Sequence, residues 1–134
     1  MMILTLPNLP PSVNKLLIIS RDRFVSSHEA RSYRKHGLDL LDEQLTLNPD
    51  TSAILNSFTG RELKIHIKYY SSWRTKAGDI RKKDANNLSK ALIDLIFEGL
   101  IKYNKELNDC QLFEIIEQKI EAAEDMTEVE ISEI

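Results

Sequence analysis

From Arg61 to Tyr70 the sequence reads RELKIHIKYY, and its strict alternation constrains the fold more than any other segment. Leu63, Ile65, Ile67 and Tyr69 interleave with Lys64, His66, Lys68 and Tyr70. Side chains along a strand point to opposite faces in turn. A period of two therefore makes this a strand with one apolar face and one basic, wet face. Such a strand belongs in a sheet covered on one side only. Residues 84–98 have a different period: Leu88, Ala91, Leu92, Leu95 and Ile96 form one helical stripe, with Gly99 as the expected stop. Packing that stripe on the apolar face of the strand lets both elements bury their apolar sides.

The remaining elements follow from shorter signals. MILTL is β-prone and is closed by Pro7, and PNLPPSVNK reads as an ordered, extended loop. Residues 16–25 read as a short extended stretch. A helix is expected from Ser26, which stands at capping-box spacing from Glu29. It carries Ala30, Tyr33, Leu38, Leu41 and Leu45 inward and ends before Asn48-Pro49. Residues 48–60 read as loop with Gly60 at the last turn, and SSWRTKAGDIRKK as a polar, basic loop. Strands are expected near 111–120 and 126–133. The order β-α-β-α-β-β predicts a small α+β domain: a mixed or antiparallel sheet with helices on one face, in a single domain over residues 1–134.

Composition excludes several classes. No apolar run approaches the ~18–20 residues that cross a bilayer, so no membrane role is expected. MMILTLPNLPP lacks a basic stretch and meets Pro7 too early for a signal peptide. The one cysteine, Cys110, cannot form an internal disulfide or supply a zinc cluster and reads as a small buried side chain; the expected compartment is the cytoplasm. The formal charge of −3, from 18 Lys+Arg and 21 Asp+Glu, argues against nucleic acid until it is divided along the chain. Residues 61–90 hold nine basic and three acidic side chains, whereas residues 91–134 hold three basic and twelve acidic ones. A whole-chain average hides that basic band.

The chemistry concentrates in RKKDANNLSK, followed by Asn108-Asp109. Asp84 and Asn86, two apart at a non-helical helix start, can aim two oxygens at one point. Lys90 lies one turn beyond Asn86 on the same face, and Asp109, entering a strand, can close the cluster from another side. Hard oxygen donors of this kind hold Mg²⁺, and a neighbouring lysine neutralises charge developing on a phosphate. On residue types alone, an Asp at a helix start is more often a cap than a metal ligand.

Taken together, LPNLPPSVNK, VSSHEARSYRK, RKKDANNLSKALIDLIFEGL and the late Asn-Asp resemble the RusA family of Holliday-junction resolvases, over roughly residues 4 to 120. The most specific part is the acidic helix start followed by an apolar helix bearing Asp94. The resemblance implies an α+β homodimer, often prophage-borne, that uses Mg²⁺ (with Mn²⁺ as a substitute) to nick four-way DNA junctions symmetrically in recombination and repair. It places Asp84, Lys90 and Asp109 on family site residues and Asn87 on the family asparagine. Asn86 departs from the pattern, standing where the family has a second aspartate. It keeps the shape and one oxygen but loses a charge. Three explanations stay open: a weakly active or inactive member, recruitment of a neighbouring carboxylate, or an inactivating substitution.

A DNA surface is expected from Lys64, Lys68, Arg74, Lys76, Arg81, Lys82 and Lys83, with Asn14 and Lys15 matching a family segment near DNA. Trp73 beside Arg74 suits either base stacking or burial against the sheet. Asp94 reads as structural, and His28, His36 and His66 lack metal-ligand spacing. Two competing functions are a RusA-like protein that binds branched DNA without cutting, and a small interaction domain using the acidic C-terminal strands.

Overall fold

The computed structural model describes residues 1–12, 17–20, 23–81 and 86–134, with the backbone alone for 17–20, 23–26, 86 and 87. In chain order the described elements are β1 (Met2–Leu6), β2 (Leu17–Ser20), β3 (Arg23–Ser26), α1 (His28–Leu47), α2 (Thr51–Ser57), β4 (Leu63–Ser71), α3 (Asn86–Ile101), β5 (Leu112–Glu121) and β6 (Met126–Glu133). A 3₁₀ turn, Asp109–Gln111, leads into β5. Four strands form one sheet in the order β1-β6-β4-β5. β6 runs antiparallel to both β1 and β4, while β4 and β5 are parallel. Parallel neighbours require a crossover, and α3 supplies it. The fold is α+β with a mixed sheet, as the sequence implies.

The alternation of β4 is realised in full. Leu63, Ile65, Ile67 and Tyr69 are buried on one face, level with Met2, Leu4 and Leu6 of β1 and with Val129 and Ile131 of β6. Leu41 and Leu45 of α1 and Leu88, Leu92 and Ile96 of α3 join them in one core. Full burial of each such side chain contributes about 1.5–3 kcal/mol. The two helices approach closely because glycines face their contact. A Cβ on Gly37 would lie 2.4 Å from Leu95 Cδ2, and one on Gly99 would lie 3.2 Å from Leu41 Cδ1.

That contact corrects one expectation: α3 continues through Gly99 to Ile101, and Gly99 is a packing residue there rather than a stop. Three further boundaries differ. Ser27, not Ser26, caps α1, its side chain accepting from the Ala30 amide at 3.0 Å. Residues 16–25 contain part of a hairpin, β2 paired antiparallel with β3. Within 48–60 lies α2, which the polar composition conceals. It is tied down by burial of Thr51 and Leu55 and by a 2.6 Å bond from Thr51 Oγ1 to the Leu45 carbonyl. Gly60 does take the left-handed conformation expected of it, with φ of 68°. Among the described residues no helix is long and apolar enough to cross a membrane.

Candidate metal and nucleic-acid site

α3 begins at Asn86, and its first described side chains separate cleanly: Leu88 is buried, whereas Lys90 is exposed. Lys90 Nζ stands 3.4 Å from Asp94 Oδ2, one turn on, and both side chains are largely in solvent. Asp94 is thus an exposed partner of Lys90. Asp84, Lys82, Lys83, Asn14 and Lys15 lie outside the described residues, as do the side chains of Asn86 and Asn87.

Asp109 is placed at the other end of the helix. The turn that carries it is capped by Asn108, whose side chain accepts from Cys110 N at 2.9 Å, while Gln111 Oε1 accepts from Asn108 N at 2.9 Å. Gln111 Nε2 donates to the carbonyls of Phe58 and Arg61, just ahead of β4. Asn104, shortly after α3 ends, donates to the Leu55 carbonyl and to Thr59 Oγ1 in the same neighbourhood. The C-terminal end of α3 and Asp109 therefore share one side of the molecule, and the start of α3 lies on the other. Helix rise alone puts Lys90 roughly 16 Å from Ile101, the last residue of α3. Within one chain Asp109 does not close a cluster around Lys90, because the length of α3 lies between them. Among the described residues no three His, Cys, Asp or Glu side chains come together as a metal-binding group. The carboxylate and amide oxygens of Asp84, Asn86 and Asp109 are donor types that fit a hard divalent cation, and of these groups the described Asp109 lies beyond the C-terminal end of α3.

The basic band is also divided. Lys64 and Lys68 project from the outer face of β4, where β6 brings Glu130 opposite His66 and Glu128 opposite Lys68. Lys68 Nζ lies 3.6 Å from both Glu128 and Glu130. Glu130 above all, with Glu128, raises its pKa, so it is a cation already compensated. His66 is likewise engaged, with Gln118 Oε1 at 2.7 Å. Lys68 is therefore flanked by glutamates on this face, while Lys64 stands in register with Ser132 of β6 and Glu114 of β5. The alternation places them correctly on the wet face, but strand register supplies the glutamates beside them.

Residues 72–81 form a hairpin-shaped finger instead of an open loop. Arg74 and Ile80 make an antiparallel bridge, Thr75 N donates to the Asp79 carbonyl at 2.7 Å, and Arg81 N donates to the Trp73 carbonyl at 2.8 Å. Gly78, at φ of 88°, turns the tip. The base is clamped by Trp73, which is only 6% exposed. Trp73 Nε1 donates to the Tyr69 carbonyl at 2.9 Å, its amide donates to Glu121, and Lys119 Nζ lies 4.8 Å from its ring centroid. Burial thus settles the role of Trp73: it anchors the finger and is not available to stack on a base. Arg74, Lys76 and Arg81 remain exposed on the finger, and its chain leads directly into the segment that carries Asp84. Cys110 proves exposed rather than buried, next to Asp109 in its turn.

A family model described as endodeoxyribonuclease RusA matches residues 8–132. The chain belongs to the RusA endodeoxyribonuclease family. Its match reaches from the proline loop to the last strand and so takes in the finger, α3 and the Asp109 turn together. The family is one of endodeoxyribonucleases that resolve Holliday junctions, bind branched DNA and generally depend on a divalent metal. No curated protein matches the chain.

Proposed function

We propose that this member is a structure-selective endonuclease that resolves four-way junctions by paired symmetric nicks, as a homodimer of single domains spanning residues 1–134 and with Mg²⁺ as its ion. The observation that carries the reading is the placement of Lys90 at the exposed start of α3, directly behind a rigid cationic finger, in a chain of this family. Asp84 and Asn86 are the oxygen donors at that end. Asp109 lies a helix length away, so it reaches them only from a second copy, and a two-fold pair related head to tail along α3 would form two such sites. A hard divalent cation held there supplies charge neutralisation at the phosphate and a lowered pKa for the attacking water. Lys90 offers its ammonium to the charge that develops on the scissile phosphate. Arg74, Lys76 and Arg81, together with Asn14, Lys15, Lys82, Lys83 and Asn87, hold the flanking phosphates and fix the strand relative to the site.

Asn86 leaves this set with two carboxylates where the family has three, which favours weak metal binding and slow cutting. Labelled four-way junctions, incubated with Mg²⁺ and with EDTA, test the reading directly. Paired nicks that disappear in EDTA are expected, and Asn86→Asp should raise the Mg²⁺-dependent rate by about tenfold or more. Mixing Asp84→Asn protein with Asp109→Asn protein tests the shared site. Each is expected to be inactive alone, and the mixture should regain cutting because a heterodimer holds one intact site. A mixture as inactive as its components rejects the shared site. A gel shift without nicks even in Asn86→Asp rejects the nuclease reading.

A further inference from the structure

Ile80 is unusual in its setting. It is 69% exposed, on a finger whose other outward side chains include Arg74, Lys76 and Arg81. In an antiparallel bridge the paired residues project to the same side, so Ile80 and Arg74 stand together on the face opposite Trp73. The Arg74 guanidinium folds along the finger, Nη1 donating to the Gly78 carbonyl at 3.1 Å. An exposed aliphatic side chain thus stands beside a cation on this face of the finger. Nothing in the sequence singles Ile80 out except that it is the one large apolar residue between Trp73 and Leu88.

We infer that Ile80 is a wedge that enters the base stack at the crossover of a branched DNA, with Arg74 and Arg81 seating the phosphates on either side. This rests on the reading of the chain as a junction-binding protein. Three observations carry it. First, the finger is rigid: backbone bonds at 2.7–2.9 Å close its turn and its base, and the buried Trp73 fixes it to the sheet. A wedge needs this stiffness, because a mobile loop loses entropy on insertion. Second, proteins that unstack DNA pair an aliphatic or aromatic side chain with flanking Arg or Lys, and the finger carries that combination, with Arg74 beside Ile80 on one face and Arg81 as the next residue along the strand. Third, Arg81 stands only five residues ahead of Asn86, which keeps it within about 18 Å of the proposed cutting end of α3. Unstacking costs a few kcal/mol per step in a regular duplex and least where stacking is already interrupted. The same contact is therefore affordable at a crossover and unfavourable on linear DNA, which makes Ile80 a residue that discriminates structure rather than sequence.

The test uses the full chain in EDTA, with a four-way junction and a linear duplex that each carry 2-aminopurine, at the crossover or at mid-duplex. Binding of the unsubstituted protein should raise fluorescence at the crossover by about twofold or more and leave the duplex signal unchanged. Ile80→Ala should bind the junction within about threefold of the parent, since the phosphate contacts remain, yet lose at least half of the fluorescence rise. Ile80→Leu should retain that rise, and thermal melting of each variant reports whether the finger still folds. A crossover signal unchanged in Ile80→Ala overturns the wedge while leaving junction binding intact. A parent protein that fails to bind the junction at all overturns the underlying reading instead.

Discussion

The two ends of α3 are built on opposite principles. At the C-terminal end, Gly99 and Leu95 lie against Leu41 and Gly37 of α1, and Asn104 and Tyr103 bond back to residues 42–59. At the N-terminal end, Lys90 and Asp94 stand in solvent with only each other as described partners, and the finger beyond them displays Arg74, Lys76, Ile80 and Arg81. The difference separates the end of α3 that is packed into the fold from the end that presents charged side chains to solvent. One helix serves both purposes by being anchored at one end and presented at the other.

Removing packing at the anchored end is the severest way to test that division. Leu41→Ala should destabilise the fold by about 2–5 kcal/mol, measured by urea unfolding, because Leu41 is fully buried and its methyl groups fill the space beside Gly99. Junction affinity of the fraction still folded should be unchanged; a selective loss of binding would break the comparison. A smaller effect belongs to the presented end. Arg81→Ala should weaken junction binding and lower the slope of log affinity against log salt by about one, whereas Lys68→Ala should leave both nearly unchanged. Equal effects would restore the outer face of β4 to the DNA surface, despite Glu128 and Glu130.

The mildest probe touches neither end. The Tyr33 hydroxyl is buried without a hydrogen-bond partner among the described residues, and burial pushes its pKa upward. Tyr33→Phe should therefore stabilise the protein by about 1 kcal/mol in thermal or urea unfolding. The gain should widen above pH 10. There the unfolded chain ionises a phenol that the fold keeps protonated, so as pH rises the parent loses the stability linked to Tyr33 in addition to any loss it shares with the variant. A destabilised Tyr33→Phe would mean that the hydroxyl has a partner in solution.

Much of the fold was legible because it rests on local periodicity. The alternation of Leu63–Tyr69, the stripe through Leu88 and Leu92, and the short β1 all appear where their patterns place them. The misread places have tertiary causes. Gly99 looks like a stop until Leu41 occupies the space its missing Cβ leaves, and α2 looks like a loop until Thr51 and Leu55 are buried. The acidic helix start and its lysine were equally legible as a family pattern, and the family match bears that resemblance out. What spacing could not convey was distance: nineteen residues separate Lys90 from Asp109, and whether they meet depends on the direction in which the intervening helix points.

By itself, then, the sequence determined the strand and helix periods, the family and the residue types gathered at the start of α3 and in the finger. These are local properties, written in each segment. Tertiary structure decided which of those residues share a surface. It paired Lys68 with glutamates from β6, turned a basic loop into a rigid finger anchored on Trp73, and set Asp109 a helix length from Lys90. Strand register and helix direction are relations between segments, and they become fixed only when the apolar faces close on one another.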